Sequence, residues 1–382
     1  MKRVNWGLVG GGEGSQIGFA HRAGAVLDGK FRFVAGAMDV DPNRSREYGI
    51  RLGLSPDRAY GDWKEMLSGE RDRRDRPGLV TVATPNNTHF EIASAFLKAG
   101  FHVLCEKPMT LTVEDAIELD ACARSCNRIC AVNYGYSGYP MVRQMKAMVS
   151  SGEIGRVRVV VAEFAGGFMA DEADDDNPRV RWRFDPDQAG ASAVSLDLGI
   201  HALHMACFVT GQRVTRVSSD FAHGVEGRRL EDDSLTAFRM SGGTIGRLWA
   251  SGIAIGRTHG LTLQVFGSAG GLRWRQEHPN QLESTPLNGS TRILERGAHD
   301  LSPAAKRAGR VTIGHPEGMP FAFANIYRDL GDVIMSGMNG TDVDPLALDY
   351  PDSSDGLHSL QVVFAMVRSA REGGRWRQVV GA

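Results

Sequence analysis

Two short motifs in this chain carry side chains that could do chemistry together. In the first, an apolar segment typical of a buried strand (residues 101–105) runs directly into Glu106, Lys107 and Pro108. Ligands of open α/β sheets bind at the carboxyl ends of the strands, so a lysine placed there predicts a role in binding or catalysis. The alternative interpretation is a surface lysine in a strand-to-helix turn.

The second motif pairs a carboxylate with an imidazole. In the segment VSLDLGIHALH (residues 194–204), Asp197, His201 and His204 are four and then three residues apart. A helix would place them on one face, where an acid can orient an imidazole that transfers a proton. The alternative is an ion pair capping a buried helix. A zinc site at His201 and His204 is disfavoured, because catalytic zinc takes three protein ligands.

A glycine-rich turn precedes both motifs. The apolar strand pattern of residues 4–9 leads into GGGEGS, and a helical pattern follows at residues 17–27. This order is typical of loops that bind the pyrophosphate of a dinucleotide at a helix N-terminus. The spacing departs from G-x-G-x-x-G, since the third glycine is either Gly14 or Gly18. The predicted pyrophosphate contacts are Gly10, Gly12, Gly14, Ser15, Gln16 and Ile17.

Residues at later strand ends complete the predicted cofactor site. The strand at 31–38 ends at Asp39, which can accept hydrogen bonds from a ribose and would repel a 2′-phosphate, so NAD is favoured. Arg44 lies close in sequence and leaves NADP as the alternative. Small and amide-bearing residues follow the strand at 79–83. The further predicted cofactor contacts are Thr84, Asn86, His89, Glu106 and Lys107.

The order of the elements indicates two domains. Strands and helices alternate through residue 133, which predicts a doubly wound parallel sheet in a cofactor domain of residues 1–133. Residues 134–382 form the predicted second domain. After residue 213, strand-like runs alternate with short polar turns, as in an antiparallel sheet. Residues 281–320 are predicted to be a long loop, and residues 321–336 and 355–370 are predicted to be amphipathic helices.

Composition narrows the classes of function. The chain has 382 residues, 42% of them hydrophobic and 23% charged, with a formal net charge of −1, so a nucleic-acid binder is disfavoured. No secretory pattern or membrane-length apolar run is present, and five cysteines form no disulfide framework. We therefore expect a cytoplasmic protein. Neither the cysteines at 122, 126 and 130 nor the acidic stretch 171–176 matches a metal site.

Taken in order, these motifs resemble those of the Gfo/Idh/MocA oxidoreductases, a family that includes glucose–fructose oxidoreductase and inositol dehydrogenase. The matching segments are the glycine loop followed by His21, ATPNNTHF at 83–90, EKP at 106–108 and DLGIH at 197–201. The resemblance implies an N-terminal Rossmann domain and a C-terminal α/β domain with a large, mostly antiparallel, open-faced sheet. It implies a homo-oligomer, dimer or tetramer, formed through that sheet. It also suggests a cis peptide bond before Pro108.

The resemblance further implies hydride transfer between NAD(P) and a secondary alcohol of a sugar or an inositol-like cyclitol. Lys107, Asp197 and His201 would act on the substrate, with His201 as base and Lys107 bound to the reacting oxygen. Two alternatives share the fold: a glycosidase that oxidises the sugar transiently, and a nucleotide-binding sensor without activity. The other predicted substrate contacts are Asn133, Tyr136, Arg183 and His204.

Overall fold

The fold is described from a computed structural model, in which residues 3–172 and 180–381 are described. Most of the acidic stretch 171–176 therefore lies outside the described residues. The chain divides into two units. The first comprises the described residues up to Thr110 together with Glu114–Gly138 and Met319–Gly356. The second comprises Leu111–Val113, Tyr139–Gly318 and the described residues from Leu357 onwards.

A five-stranded parallel sheet forms the centre of the first unit. Its strands β1 to β5 are Val4–Gly10, Phe31–Ala37, Leu79–Ala83, His102–Cys105 and Cys130–Val132. They lie in the order β2-β1-β3-β4-β5, and a parallel bridge between Gly36 and Ala59 adds a rudimentary strand outside β2. This is the strand order of a Rossmann sheet, as predicted. Ligands of such sheets lie at the carboxyl ends of the strands, where the order reverses.

Helices connect the strands of both units. In the first half of the chain, α1 to α5 are Gln16–Leu27, Pro42–Arg51, Trp63–Glu70, His89–Lys98 and Val113–Ser125. Further along the chain, α6 to α11 are Pro140–Ser150, Pro186–Ala189, Ile200–Thr210, Pro303–Ala308, Met319–Asn339 and Ser353–Arg371. Caps fix several of these starts: Asp41 caps α2 and Asp62 caps α3 with side-chain oxygens that accept backbone N–H groups.

The first unit includes a helix from late in the sequence. Ile326, Tyr327, Leu330 and Ile334 of α10 are at most 3% exposed and belong to the same hydrophobic core as the residues of β1. Their helical spacing places them on one face of α10. The sequence predicts a single boundary at residue 133. The first unit instead includes residues from both sides of that boundary, because this late helix packs in its core.

A nine-stranded sheet forms the second unit. Its strands β6 to β14 are Val157–Ala165, Val214–Ala222, Asp233–Met240, Ile245–Ser251, Leu261–Gly267, Gly270–Arg275, Gln281–Pro286, Arg292–Glu295 and Arg377–Gln378. Their order is β13-β12-β11-β10-β6-β9-β8-β7-β14, and all neighbours pair antiparallel except β6 and β9. The predicted mostly antiparallel sheet is therefore confirmed.

The segment 281–320 is more ordered than a loop. It contains β12, β13 and α9. A buried ion pair between Arg296 and Glu317, whose side chains are 2% and 1% exposed, links two parts of the remaining segment. Arg296 also donates to the backbone oxygens of Val311 and Thr312. The prediction of a long loop was wrong because the short polar strands β12 and β13 lack the apolar alternation that marks a strand in sequence.

Candidate active site

The glycine turn at the end of β1 is set by close backbone contacts. Gly10 has φ of +78°, and a Cβ there would lie 2.4 Å from the carbonyl oxygen of Ala83. A Cβ at Gly12 would lie 2.4 Å from the carbonyl oxygen of Met38. Only glycine fits at these two positions, because no backbone neighbour can withdraw without disturbing the sheet.

Gly18 takes the place of the third glycine. A Cβ there would lie 2.0 Å from the carbonyl oxygen of Gly11, so the first turn of α1 packs directly on the loop. This is the helix-packing role of the last glycine in a dinucleotide-binding turn. Gly14, by contrast, has open space around it within 4 Å. The sequence left the choice between these two glycines open, and the contact distances assign it to Gly18.

The N-terminus of α1 fits a pyrophosphate. Ser15 caps the helix, and its Oγ accepts a hydrogen bond of 3.0 Å from the N–H of Gly18. Gln16 and Ile17 open the first turn and are exposed. The first N–H groups of a helix have no acceptor within it and carry its positive dipole. The open space beside Gly14 leaves room for an anionic group at these donors.

Asp39 lies at the end of β2 as an ionised carboxylate. Its Oδ1 accepts hydrogen bonds of 2.9 Å from the N–H of Asp41 and from the Arg44 guanidinium. The hydrogen bond from Asp41, helped by Arg44, lowers the pKa of Asp39 below its ordinary value. Arg44 is therefore tied to the carboxylate that is predicted to bind the ribose.

The loop after β3 is held by His89. The imidazole has no exposed surface, and its Nδ1 and Nε2 lie 2.8 Å and 2.9 Å from the carbonyl oxygens of Pro108 and Thr84. Burial lowers the pKa of His89. We therefore assign His89 to the support of both loops rather than to a direct cofactor contact. Thr84 and Asn86, on the same loop, are half-buried and remain predicted contacts.

The turn after β4 is anchored by a buried carboxylate. Glu106 Oε1 accepts hydrogen bonds from His21 Nε2 at 2.9 Å and Asn133 Nδ2 at 2.5 Å, and Oε2 accepts from the N–H of Lys107 at 3.2 Å. Burial alone would raise the pKa of Glu106, but these donors and the Lys107 charge lower it overall. The peptide bond between Lys107 and Pro108 is cis, as predicted.

Anchoring leaves different surfaces accessible on this turn. Lys107 is half-buried, whereas Glu106 and Asn133 are 9% and 1% exposed. Glu106 and Asn133 therefore act on each other and on the backbone, and only Lys107 presents a partly open side chain. Tyr136, on the short helical turn after β5, is also half-buried.

In the second unit, the helix that carries Asp197 and His201 begins with a π-helical turn. This turn covers Ser195–Gly199, and α8 continues from it. The helix predicted for this motif is present, but its first turn is a π-turn, which changes the angular spacing of residues four apart. Insertions of this kind occur frequently at functional sites. Their local composition is that of an ordinary helix, so nothing in the sequence marks them.

An arginine holds Asp197 in place. Arg183 Nε donates a hydrogen bond of 2.6 Å to Asp197 Oδ2, and both side chains are mostly buried. The guanidinium also lies 4.4 Å above the ring of Trp182. The structure therefore brings together two of the predicted substrate contacts.

An aromatic ring lies beside His201. Its ring lies 6.0 Å from Phe164, which stacks on His259 at 4.8 Å. Burial lowers the pKa of His259, a residue that sequence reasoning missed because it lies in a polar turn. His204 is 4% exposed, and burial lowers its pKa to about 3, so we assign it to the interior rather than to substrate contact.

A second missed residue caps the π-turn. The buried carboxylate of Glu231 accepts hydrogen bonds from Ser192 Oγ and from the N–H groups of Ala193 and Ser195. Burial nevertheless raises the pKa of Glu231. These donors lie at the start of the helix, so Glu231 fixes the segment that carries Asp197. Its position 36 residues from Ser195 gives no sequence signal.

Metal centres and membrane-spanning helices would indicate other classes of protein. Among the residues that the structure describes, no three His, Cys, Asp or Glu side chains are grouped to hold a metal ion. Within the same residues, no helix combines the length and apolar character that crossing a membrane requires.

Comparisons with known proteins agree with this geometry. Residues 4–134 match the oxidoreductase family with an NAD-binding Rossmann fold, and residues 142–273 match the GFO/IDH/MocA C-terminal domain. The glycine turn, the α1 N-terminus and Asp39 fit NAD in the first unit. The protein is an NAD-binding oxidoreductase of the sugar or inositol dehydrogenase type.

Relatives match nearly the whole chain. An uncharacterized oxidoreductase, YfiI, of Bacillus subtilis (strain 168) is 35% identical over 380 residues, covering 98% of this chain and 96% of that protein. The crystal structure of an inositol dehydrogenase homolog complexed with NAD+ from Azotobacter vinelandii is 39% identical, with a TM-score of 0.93 and coverage of 99% and 97%. The structure of an inositol dehydrogenase homolog complexed with NADH and myo-inositol, from the same organism, is 38% identical with a TM-score of 0.91. The match covers 99% of this chain and 98% of that chain. The chain belongs to the Gfo/Idh/MocA oxidoreductase family.

Proposed function

We propose that this protein is an NAD-dependent dehydrogenase that oxidises a secondary alcohol of a sugar or an inositol-like cyclitol. The observation that carries the proposal is the turn after β4, where buried Glu106 fixes the backbone of a half-buried Lys107. That turn lies at the carboxyl-terminal edge of the parallel sheet, and the glycine loop that follows β1 lies at the same edge. The relative solved with NADH and myo-inositol, 38% identical, supports the substrate class.

The proposed residues divide the chemistry between them. The glycine turn and Asp39 would hold NAD+, which would supply the acceptor for the hydride that leaves the carbinol carbon. His201 takes the hydroxyl proton, which a neutral imidazole can do near neutral pH. Lys107 donates a hydrogen bond to the reacting oxygen and stabilises its developing negative charge. The alcohol thus loses one proton and one hydride, and it becomes the carbonyl product.

Arg183 and Asp197 are proposed to bind the neighbouring hydroxyl groups. The hydrogen bond of 2.6 Å between them fixes the carboxylate, whose remaining lone pairs can accept from a polyol. Tyr136, half-buried, is a further proposed hydroxyl contact. A substrate that presents several adjacent hydroxyls would satisfy this set, whereas a simple alcohol would leave polar groups without partners.

Two features of the setting belong to the same proposal. Leu235 and Phe266, 56% and 41% exposed, lie on strands of the nine-stranded sheet and support assembly of a homo-oligomer, dimer or tetramer, through that sheet. The five cysteines are free thiols, which supports a reducing cytoplasm.

A substrate panel tests the function. We would incubate the protein with inositols, aldoses and simple secondary alcohols, each with NAD+ or NADP+, and follow absorbance of the reduced cofactor. We expect turnover with at least one polyol and NAD+. Tight NAD+ binding without turnover of any alcohol would contradict a dehydrogenase. Release of an aglycone from glycosides without net NADH would instead indicate transient sugar oxidation.

A further inference from the structure

A chain of buried hydrogen bonds runs through the first unit and ends at the turn after β4. Trp6 Nε1 donates to Thr81 Oγ1 at 2.9 Å, and Thr81 Oγ1 lies 2.8 Å from the Tyr327 hydroxyl. That hydroxyl lies 2.9 Å from His21 Nδ1, and His21 Nε2 lies 2.9 Å from Glu106 Oε1. Trp6, Thr81 and His21 have no exposed surface, and Tyr327 is 1% exposed.

The two ends of this chain fix its direction. An indole N–H can only donate, and an ionised carboxylate can only accept. Each group between them can pass on a proton: the hydroxyls of Thr81 and Tyr327 and a ring N–H of His21. Thr81 therefore donates to Tyr327, and Tyr327 donates to Nδ1 of His21. The proton of His21 lies on Nε2, where it is donated to Glu106.

The same geometry disfavours a proton on Nδ1 of His21. A proton on Nδ1 would have to be accepted by the Tyr327 hydroxyl, which would then have to donate back towards Thr81. Thr81 already accepts from Trp6 and would then accept from Tyr327 as well. The hydroxyl proton of Thr81 would be left without an acceptor in this hydrogen-bond chain. Leaving a buried hydroxyl proton without an acceptor costs free energy. Every donor of the hydrogen-bond chain has an acceptor within it when Nδ1 of His21 accepts from Tyr327 and Nε2 donates to Glu106.

We propose that His21 and Tyr327 are positioning residues for Lys107. The one-way chain holds Glu106 as an oriented carboxylate, and Glu106 Oε2 in turn accepts the backbone N–H of Lys107 at 3.2 Å. Tyr327 reaches the turn from α10, far from it in sequence, and acts only through His21 and Glu106. The proposal rests on the proposed function in one respect, that Lys107 contacts the reacting oxygen.

The test removes one hydroxyl. Tyr327→Phe keeps the ring, which packs edge-on against Trp6 and His21 at 5.8 Å and 5.9 Å. Without the donor to Nδ1, the His21 proton is no longer confined to Nε2, and Glu106 loses a fixed partner. We expect kcat on the best polyol of the panel to fall about ten-fold, with the Kd for NAD+ within about two-fold of the unaltered value.

A matched variant separates positioning from general destabilisation. Tyr60→Phe removes a hydroxyl that donates to the buried carboxylate of Glu70 at 2.9 Å in the same unit. It should lower the unfolding free energy and leave kcat unchanged. His21→Gln, which keeps an N–H donor for Glu106, should retain more kcat than His21→Leu. An equal loss of kcat in Tyr327→Phe and Tyr60→Phe would overturn the positioning role.

A spectroscopic measurement tests the direction of the hydrogen-bond chain without any turnover of substrate. Nitrogen chemical shifts of 15N-histidine-labelled protein report which ring nitrogen carries the proton. We expect a proton of His21 on Nε2 and none on Nδ1, and we expect Tyr327→Phe to populate the form with a proton on Nδ1. A proton on Nδ1 of His21 in the unaltered protein would refute the chain. If the panel shows no turnover, the proposed function fails while these shifts still decide the direction of the chain.

Discussion

Gly18→Ala tests the fit of the first unit to NAD most sharply. The added Cβ would lie 2.0 Å from the carbonyl oxygen of Gly11 and 2.5 Å from its carbon, where ordinary contact begins at 3.4 Å. Both atoms are backbone, so α1 must move off the loop by more than an ångström. Overpacking of this kind costs about 3 kcal/mol at the upper end of its usual range. The better helix propensity of alanine offsets about 1 kcal/mol, which leaves a net loss of about 2 kcal/mol.

Urea unfolding and calorimetric titration with NAD+ measure the two consequences. We expect a lower unfolding midpoint and a Kd for NAD+ raised about ten-fold or more, because the N–H donors of the helix N-terminus shift with α1. Gly24→Ala is the control in the same helix: its Cβ would meet Phe323 and Ala324 at 3.0 Å, away from the loop. Gly18→Ala with an unchanged Kd and midpoint would refute the assigned packing role.

Two further substitutions probe charge. Asp39→Asn should raise the KM for NAD+ about ten-fold, because it weakens ribose binding. It should also raise the activity with NADP+ relative to that with NAD+, because it removes repulsion of a 2′-phosphate. Steady-state kinetics with both cofactors measure this, and an unchanged ratio of the two activities would contradict it. Burial raises the pKa of Glu231 above its ordinary 4.5, so the stability it contributes is present below pH 4.5 and is lost as pH rises through the folded value. Glu231→Gln should therefore show a smaller fall in unfolding free energy between pH 4.5 and 7 than the unaltered protein, and identical urea titrations across that range would argue against a raised pKa.

Local pattern was enough to predict the elements that carry the site. The apolar strand of residues 4–9, the glycines after it and the alternation through residue 133 predicted the Rossmann sheet, because each signal lies within a few residues of the structure it specifies. The motif at 106–108 predicted the position of Lys107 at a strand end, whereas the cis bond was suggested by the family resemblance.

Contacts between distant residues could not be predicted in this way. Tyr327 lies 306 residues from His21, and nothing near either one marks their hydrogen bond. Glu231 caps a helix 36 residues before it for the same reason. The π-turn at Ser195–Gly199 has the composition of an α-helix, so its altered spacing emerges only from the packed structure.

Lys107→Ala tests the central claim most directly. The measurement is the kcat for NADH formation from the best polyol of the panel, with the Kd for NAD+ determined on the same preparation. We expect kcat to fall about a hundred-fold or more while NAD+ binding is retained, since a donor to the developing oxyanion is lost. Unchanged kcat in a variant that binds NAD+ normally would contradict the role of Lys107 and with it the proposed active site.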